Sequence, residues 1–106
     1  MNQELITRWA ELAPSEAARY NGHPMWIAAA INRRGLECLF AESSLSGRPL
    51  CMLFKDNDAA SGWYSGGDKA EAALSTYLNY LLGLAKPTPR RSFMRDLFQR
   101  NFVSIT

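Results

Sequence analysis

Metal-binding side chains other than carboxylates are scarce in this sequence: one histidine and two cysteines stand among 106 residues. That supply excludes a Cys/His zinc framework, which draws four such ligands to one point. No basic segment followed by an apolar one opens the chain, so no secretory leader is read. The longest continuous apolar run, residues 25–31, falls far short of the ~20 residues that a membrane-spanning helix needs. Internal repeats and low-complexity tracts are missing as well. An excess of one charge is also lacking: 12 basic side chains against 10 acidic ones leave a net +2, so no strongly basic module declares itself. These absences together predict a cytoplasmic protein with no membrane partner and with reduced thiols, although a hairpin leaves a Cys38–Cys51 disulfide open.

Catalytic sets are lacking in the same way. His23 has no thiol or serine arranged beside it for nucleophilic chemistry and reads as a turn or cap residue. Asp56, Asn57 and Asp58 lack the glycine and the terminal glutamate of a calcium loop, and read as a strand-ending turn. Glycines 66 and 67 precede a helix start, where amide N–H groups attract anions, but the Walker spacing is absent and Asp68 fills the cap itself. The expectation is a non-enzyme with no cofactor, no metal and no catalytic residue.

What remains is an ordinary globular composition, 47% hydrophobic and 21% charged, which fits one compact domain spanning 1–106. The periodicity predicts an α+β fold. Leu5, Ile6, Trp9 and Leu12 recur at helical spacing over 3–13. Ser15 offers an N-cap for a short helix over 16–20, ended by Asn21 and Gly22. Pro24 and Gly35 bracket a helix over 24–34, with a strand over 25–31 as the alternative. Apolar runs at 36–43 and 48–56 flank Ser44-Leu45-Ser46-Gly47 and predict an antiparallel hairpin. Pairing Ser43 with Arg48 puts Phe40 opposite Cys51, Cys38 opposite Leu53 and Leu39 opposite Met52. Both faces of that hairpin are apolar, so each should be at least partly covered. A turn-rich stretch over 56–67 leads to the clearest helix, 68–85, opened by an Asp68/Glu71 capping box. Ala70, Ala73, Leu74, Tyr77, Leu78, Leu81 and Leu82 form its apolar stripe. After the Lys86-Pro-Thr-Pro break, 92–102 reads as a last amphipathic helix. Its Phe93, Phe98 and Phe102 make a monomer and an exchanged homodimer both open.

Charge is divided unevenly. Residues 1–85 hold seven basic and nine acidic side chains, whereas 86–106 hold five basic and one acidic. Lys86, Arg90, Arg91, Arg95 and Arg100 thus form a basic C-terminal segment suited to tracking phosphates. With Arg33, Arg34 and Arg48, and with Trp63 or Tyr64 for stacking, they are the candidate contacts for nucleic acid or another partner. Single-stranded binding needs only such a basic groove with aromatic faces.

Residues 13–36 carry Glu16-Ala17-Ala18, Gly22, Ile31 and Arg33-Arg34-Gly35. This stretch resembles a helix-turn-helix of the excisionase or small winged-helix type, with the hairpin as the wing. The resemblance implies close helix approach at Ala18, a turn at Gly22, an inward Ile31 and a transcriptional regulator's role. It departs from that pattern where Asn21 and His23 flank the glycine, and only Arg33 on the second helix has hydrogen-bonding reach to a base. If 25–31 is a strand, the element order instead resembles a double-stranded RNA-binding domain without its lysine cluster. In general character the chain is similar to small phage and mobile-element accessory proteins, such as anti-CRISPR and immunity proteins. The expected function is a small regulatory or inhibitory binding protein acting on nucleic acid or a nucleoprotein complex, with inhibition through protein contact alone as the alternative.

Overall fold

A computed structural model describes residues 1–83. The basic segment and the helix expected over 92–102 lie outside the described residues. Four helices and an antiparallel sheet follow in the order α1 (Gln3–Leu12), α2 (Pro14–Ala18), α3 (Met25–Arg33), β1 (Glu37–Glu42), β2 (Pro49–Lys55), β3 (Asp58–Ala59), β4 (Tyr64–Ser65) and α4 (Lys69–Leu81). The fold is α+β.

The helix boundaries follow from local chemistry. The Asn2 side chain caps α1 by accepting from the Glu4 amide at 2.9 Å. Helix α2 begins at Pro14 with Ala13 as its cap residue, ahead of the expected Ser15 cap. Proline at the first helical position has its φ preset and loses no hydrogen bond there, so it starts the helix without a side-chain cap. Residues 25–31 are helical, not a strand. Here the His23 ring nitrogen Nδ1 accepts from the Met25 amide at 3.1 Å, the capping role expected of that histidine. Helix α3 ends where Gly35, at φ +75°, donates to Asn32 and Leu36 donates to Ile31. That is a Schellman ending, closed by the buried pair Ile31 and Leu36. Helix α4 stops at Leu81, four residues before the expected end, because Gly83 takes φ +73° and donates back to Tyr80.

The β1–β2 register is the expected one: Cys38 pairs with Leu53, Leu39 with Met52 and Phe40 with Cys51. Ser43 donates to the Arg48 carbonyl at 2.9 Å and closes the loop. Its Oγ accepts from the Leu45 and Ser46 amides, both at 3.3 Å. Strand β2 is central, with β1 on one side and both β3 and β4 on the other. Asp56 and Asn57 both adopt positive φ, the two-residue turn whose twist suits a hairpin; this is the strand-ending turn expected at 56–58. Between the short strands β3 and β4, the buried Ser61 hydroxyl accepts from the Leu53 amide at 2.9 Å. A side chain thus replaces the missing rung, and β2 keeps its amide satisfied.

Helix α4 lies on one face of this sheet, with Thr76 Oγ1 2.7 Å from the Ala72 carbonyl and 3.1 Å from that of Cys51. Its start is held by the cap Asp68, which accepts from the Glu71 amide at 2.8 Å. The Glu71 carboxylate accepts from Gly67 at 3.0 Å and from Asn2 at 2.8 Å, tying the start of α1 to the start of α4. Two of the amides at this helix start, those of Gly67 and Glu71, are therefore filled from within the chain. Gly66 is buried against this turn, and a Cβ there would run into the backbone of Glu71 and Ala72.

The core joins Trp9, Ile27, Ile31, Leu36, Cys51, Leu53, Leu74, Tyr77 and Leu78. Ala72 and Thr76 are buried beyond the expected stripe of α4, while Leu12 and Leu82 remain exposed. On the opposite face of the sheet Met52 is buried with Leu39, Phe54, Ala59 and Trp63 packed against it. Both faces of the hairpin are covered at least in part, as their apolar character requires.

Candidate functional site

Helix α3 separates two depressions of different chemistry. On one side Arg19, Trp26 and Arg33 line a shallow recess with Glu16, Ala29 and Ala30. Arg19 and Arg33 are exposed. The Trp26 indole N–H, by contrast, is buried and has no hydrogen-bond acceptor among the described residues. The carboxylate in this recess is already engaged. Glu16 Oε1 accepts from Trp9 Nε1 at 3.2 Å and from the Tyr77 hydroxyl at 2.7 Å. Arg34 lies 3.5 Å from Glu16 Oε2 and donates through Nε to the Tyr77 oxygen at 2.6 Å. Burial, then the hydrogen bond to Glu16, pushes the Tyr77 hydroxyl up to about 12, because both disfavour the phenolate. The hydrogen bond from Arg34 to Tyr77 raises the guanidinium further, against the pull of burial, so it stays charged.

On the other side of α3, an open groove of about 280 Å³ runs between α3, β1 and the start of α4. Ile27 and Ile31 form one wall, Cys38 and Phe40 the floor, and Ala70 and Ala73 the other wall. The groove exists because the helices present alanines where larger side chains would fill the space. Asn32 and Lys69 are its polar members, and the Lys69 ammonium sits 5.5 Å from the centre of the Phe40 ring. Cys38 and Cys51 are free thiols, diagonal neighbours on the inner face of the hairpin. The neighbouring Cys51 thiol holds the Cys38 thiol below the ordinary thiol range, while the same neighbour and burial push Cys51 up.

The sequence-derived contacts do not converge. Arg33 and Arg34 are neighbours at the end of α3; among the described residues the first is free, and the second is bound to Tyr77 and Glu16. Arg48 stands at the loop end of the hairpin and donates through Nε to the Gly66 carbonyl at 3.3 Å. Five strand steps of ~3.4 Å, roughly 17 Å in all, separate the two ends of the hairpin. Tyr64 lies at the Arg48 end, opposite Cys51, and Trp63 packs with Met52 on the far face of the sheet. Lys86, Arg90, Arg91, Arg95 and Arg100 lie outside the described residues. Arg19 and Trp26 are not among the sequence-derived contacts; an arginine after a short helix and a tryptophan in an apolar run carry no signal of their own. In the stretch resembling a helix-turn-helix, Gly22 has φ +99° and Ile31 is buried, whereas Ala18 is exposed and Ala17 packs on the core.

Among the described residues, no three His, Cys, Asp or Glu side chains are grouped so as to hold a metal ion. No helix among them is long and apolar enough to cross a membrane. Comparisons of the chain with protein-family models, with curated proteins and with solved structures found no match.

Proposed function

We propose that this chain is a small, non-enzymatic, cytoplasmic regulatory or inhibitory protein that binds nucleic acid, single-stranded in preference to a sequence-read duplex, or a nucleoprotein complex. The observation that supports this reading is the recess beside α3. Arg19 and Arg33 flank Trp26 there, with Arg34 adjacent, and the carboxylate beside them is occupied by Trp9, Tyr77 and Arg34. Two free guanidinium groups suit phosphate oxygens, which arginine grips in a planar fork. Of the exposed positions of α3, Met25 and Ala28 carry no donor for base edges, and only Asn32 and Arg33 in its last turn do, which favours backbone contact over base readout. The basic segment over 86–106 adds charge of the same sign.

A second reading, inhibition through protein contact alone, is favoured by the hairpin tip. Leu45 is 98% exposed there, on a turn braced by the Ser43 hydroxyl. Fluorescence anisotropy with a labelled oligothymidylate of about twenty nucleotides separates the two. The first reading expects binding at low salt, weakened about tenfold or more in the R19A/R33A double variant. Absence of binding at low salt, or full binding by the double variant, contradicts it and leaves protein contact as the better account.

A further inference from the structure

We infer that the groove between α3, β1 and α4 binds a small apolar monocarboxylic acid, with the chain in the groove and the carboxylate at Lys69. The groove is independent of the nucleic-acid surface, because it lies on the opposite side of α3.

Size sets the ligand. The volume of about 280 Å³ is nearly twice the ~150 Å³ cavity that admits benzene, so it suits about ten to twelve non-hydrogen atoms. Its walls are aliphatic and aromatic carbon from Ile27, Ile31, Phe40 and Ala73, which favour burial of a hydrocarbon chain. An apolar pocket with a few placed polar groups is the usual form of a small-molecule site.

Charge sets the head group. Lys69 is exposed at the mouth, and among the described residues no carboxylate lies within ion-pair distance of it. The carboxylates nearest in sequence are committed elsewhere: Asp68 caps the Glu71 amide, and Glu71 holds Gly67 and Asn2. On the far side of Lys69, Glu42 lines a neighbouring depression of about 220 Å³. A single negative charge is therefore matched at the mouth, whereas a phosphate dianion would meet Glu42, Asp68 and Glu71 around one cation.

Cys38 in the floor supplies a built-in reporter. The test is an amide-resolved NMR titration of the full chain with octanoate, in parallel with the neutral isostere octanamide, and iodoacetamide labelling of Cys38 with and without octanoate. Expected are saturable shifts confined to α3, β1 and the start of α4, with Kd on the order of 0.1–1 mM, and several-fold slower Cys38 labelling at saturation. K69Q should weaken octanoate by about three- to five-fold and leave octanamide unchanged. A28F, at an exposed position on the rim, should abolish both while preserving the circular dichroism spectrum. Non-saturating or scattered shifts, unprotected Cys38, or unchanged binding in a folded A28F chain would overturn the site. Equal binding of octanoate and octanamide by the wild type would overturn the carboxylate.

Discussion

Replacing Tyr77 with phenylalanine tests the buried network that joins α1, α2, α3 and α4. The ring stays, so no cavity opens; only the hydroxyl leaves. Glu16 then loses its 2.7 Å donor and Arg34 its 2.6 Å acceptor. The two losses are unequal, because the Arg34 side chain is 43% exposed and can turn to water, whereas that of Glu16 is 12% exposed. The larger loss is one hydrogen bond to a charged, largely buried acceptor, about 1.5–3 kcal/mol. Rotation of Arg34 toward Glu16 recovers part of it, so the expected loss is about 2 kcal/mol near neutral pH, or roughly 10 °C in Tm for a domain of this size. A pH signature accompanies it. The folded pKa of Tyr77, about 12, lies above the ordinary 10.0, so its contribution is complete below about pH 10 and is lost as pH rises toward 12. The wild type should lose about 2–3 kcal/mol across that window through Tyr77 alone, and Y77F should not. Other tyrosines and lysines titrate in both chains and cancel in the difference. Urea unfolding of both chains at about pH 7 and about pH 11.5 measures this. A Y77F chain within about 0.5 kcal/mol of wild type at neutral pH, or a gap that does not narrow at high pH, refutes the reasoning.

Other perturbations follow from single contacts. S61A should cost about 1–3 kcal/mol in urea unfolding, because the buried Leu53 amide loses its acceptor. G66A should cost at least as much and shift the turn before α4, visible as displaced amide resonances at 66–72, since the added methyl meets backbone rather than a movable side chain. D68A should remove about 1 kcal/mol by uncapping α4. Iodoacetamide should label Cys38 at a lower pH than an ordinary thiol and Cys51 hardly at all in the folded chain, read by mass spectrometry of peptides.

The hairpin is legible in the sequence because its information is local and redundant. Ser43 and Arg48 bracket a short loop, and the length of that loop sets the register of the two apolar strands. Helix α4 is legible for the same reason, through Asp68, Glu71 and a repeating stripe. Strands β3 and β4 are not, since two residues each carry no periodicity and glycine and aspartate signals dominate around them. Nor is the network of Trp9, Glu16, Arg34 and Tyr77, whose hydrogen-bonded pairs lie as many as 61 positions apart. In the sequence, Glu16 and Arg34 fall within the stretch resembling a helix-turn-helix, where the same residues suit an exposed role. The groove is invisible for a different reason. It is made by small side chains, and alanines in a helix read as helix formers, not as space. Arg33 stands out in the sequence; its partner Arg19 does not, because only the packing of α2 beside α3 brings the two into one recess.

Contact of Arg19 and Arg33 with phosphates is the central claim, and the salt dependence of oligonucleotide affinity tests it most directly. Each lost phosphate contact on a single strand should reduce the slope of log K against log salt by about 0.7. R19A/R33A should therefore lower the slope by about 1.4 relative to wild type, while R48A, at the other end of the hairpin, leaves it unchanged. A wild-type chain with no measurable affinity at low salt, or a double variant with the wild-type slope, would contradict the claim.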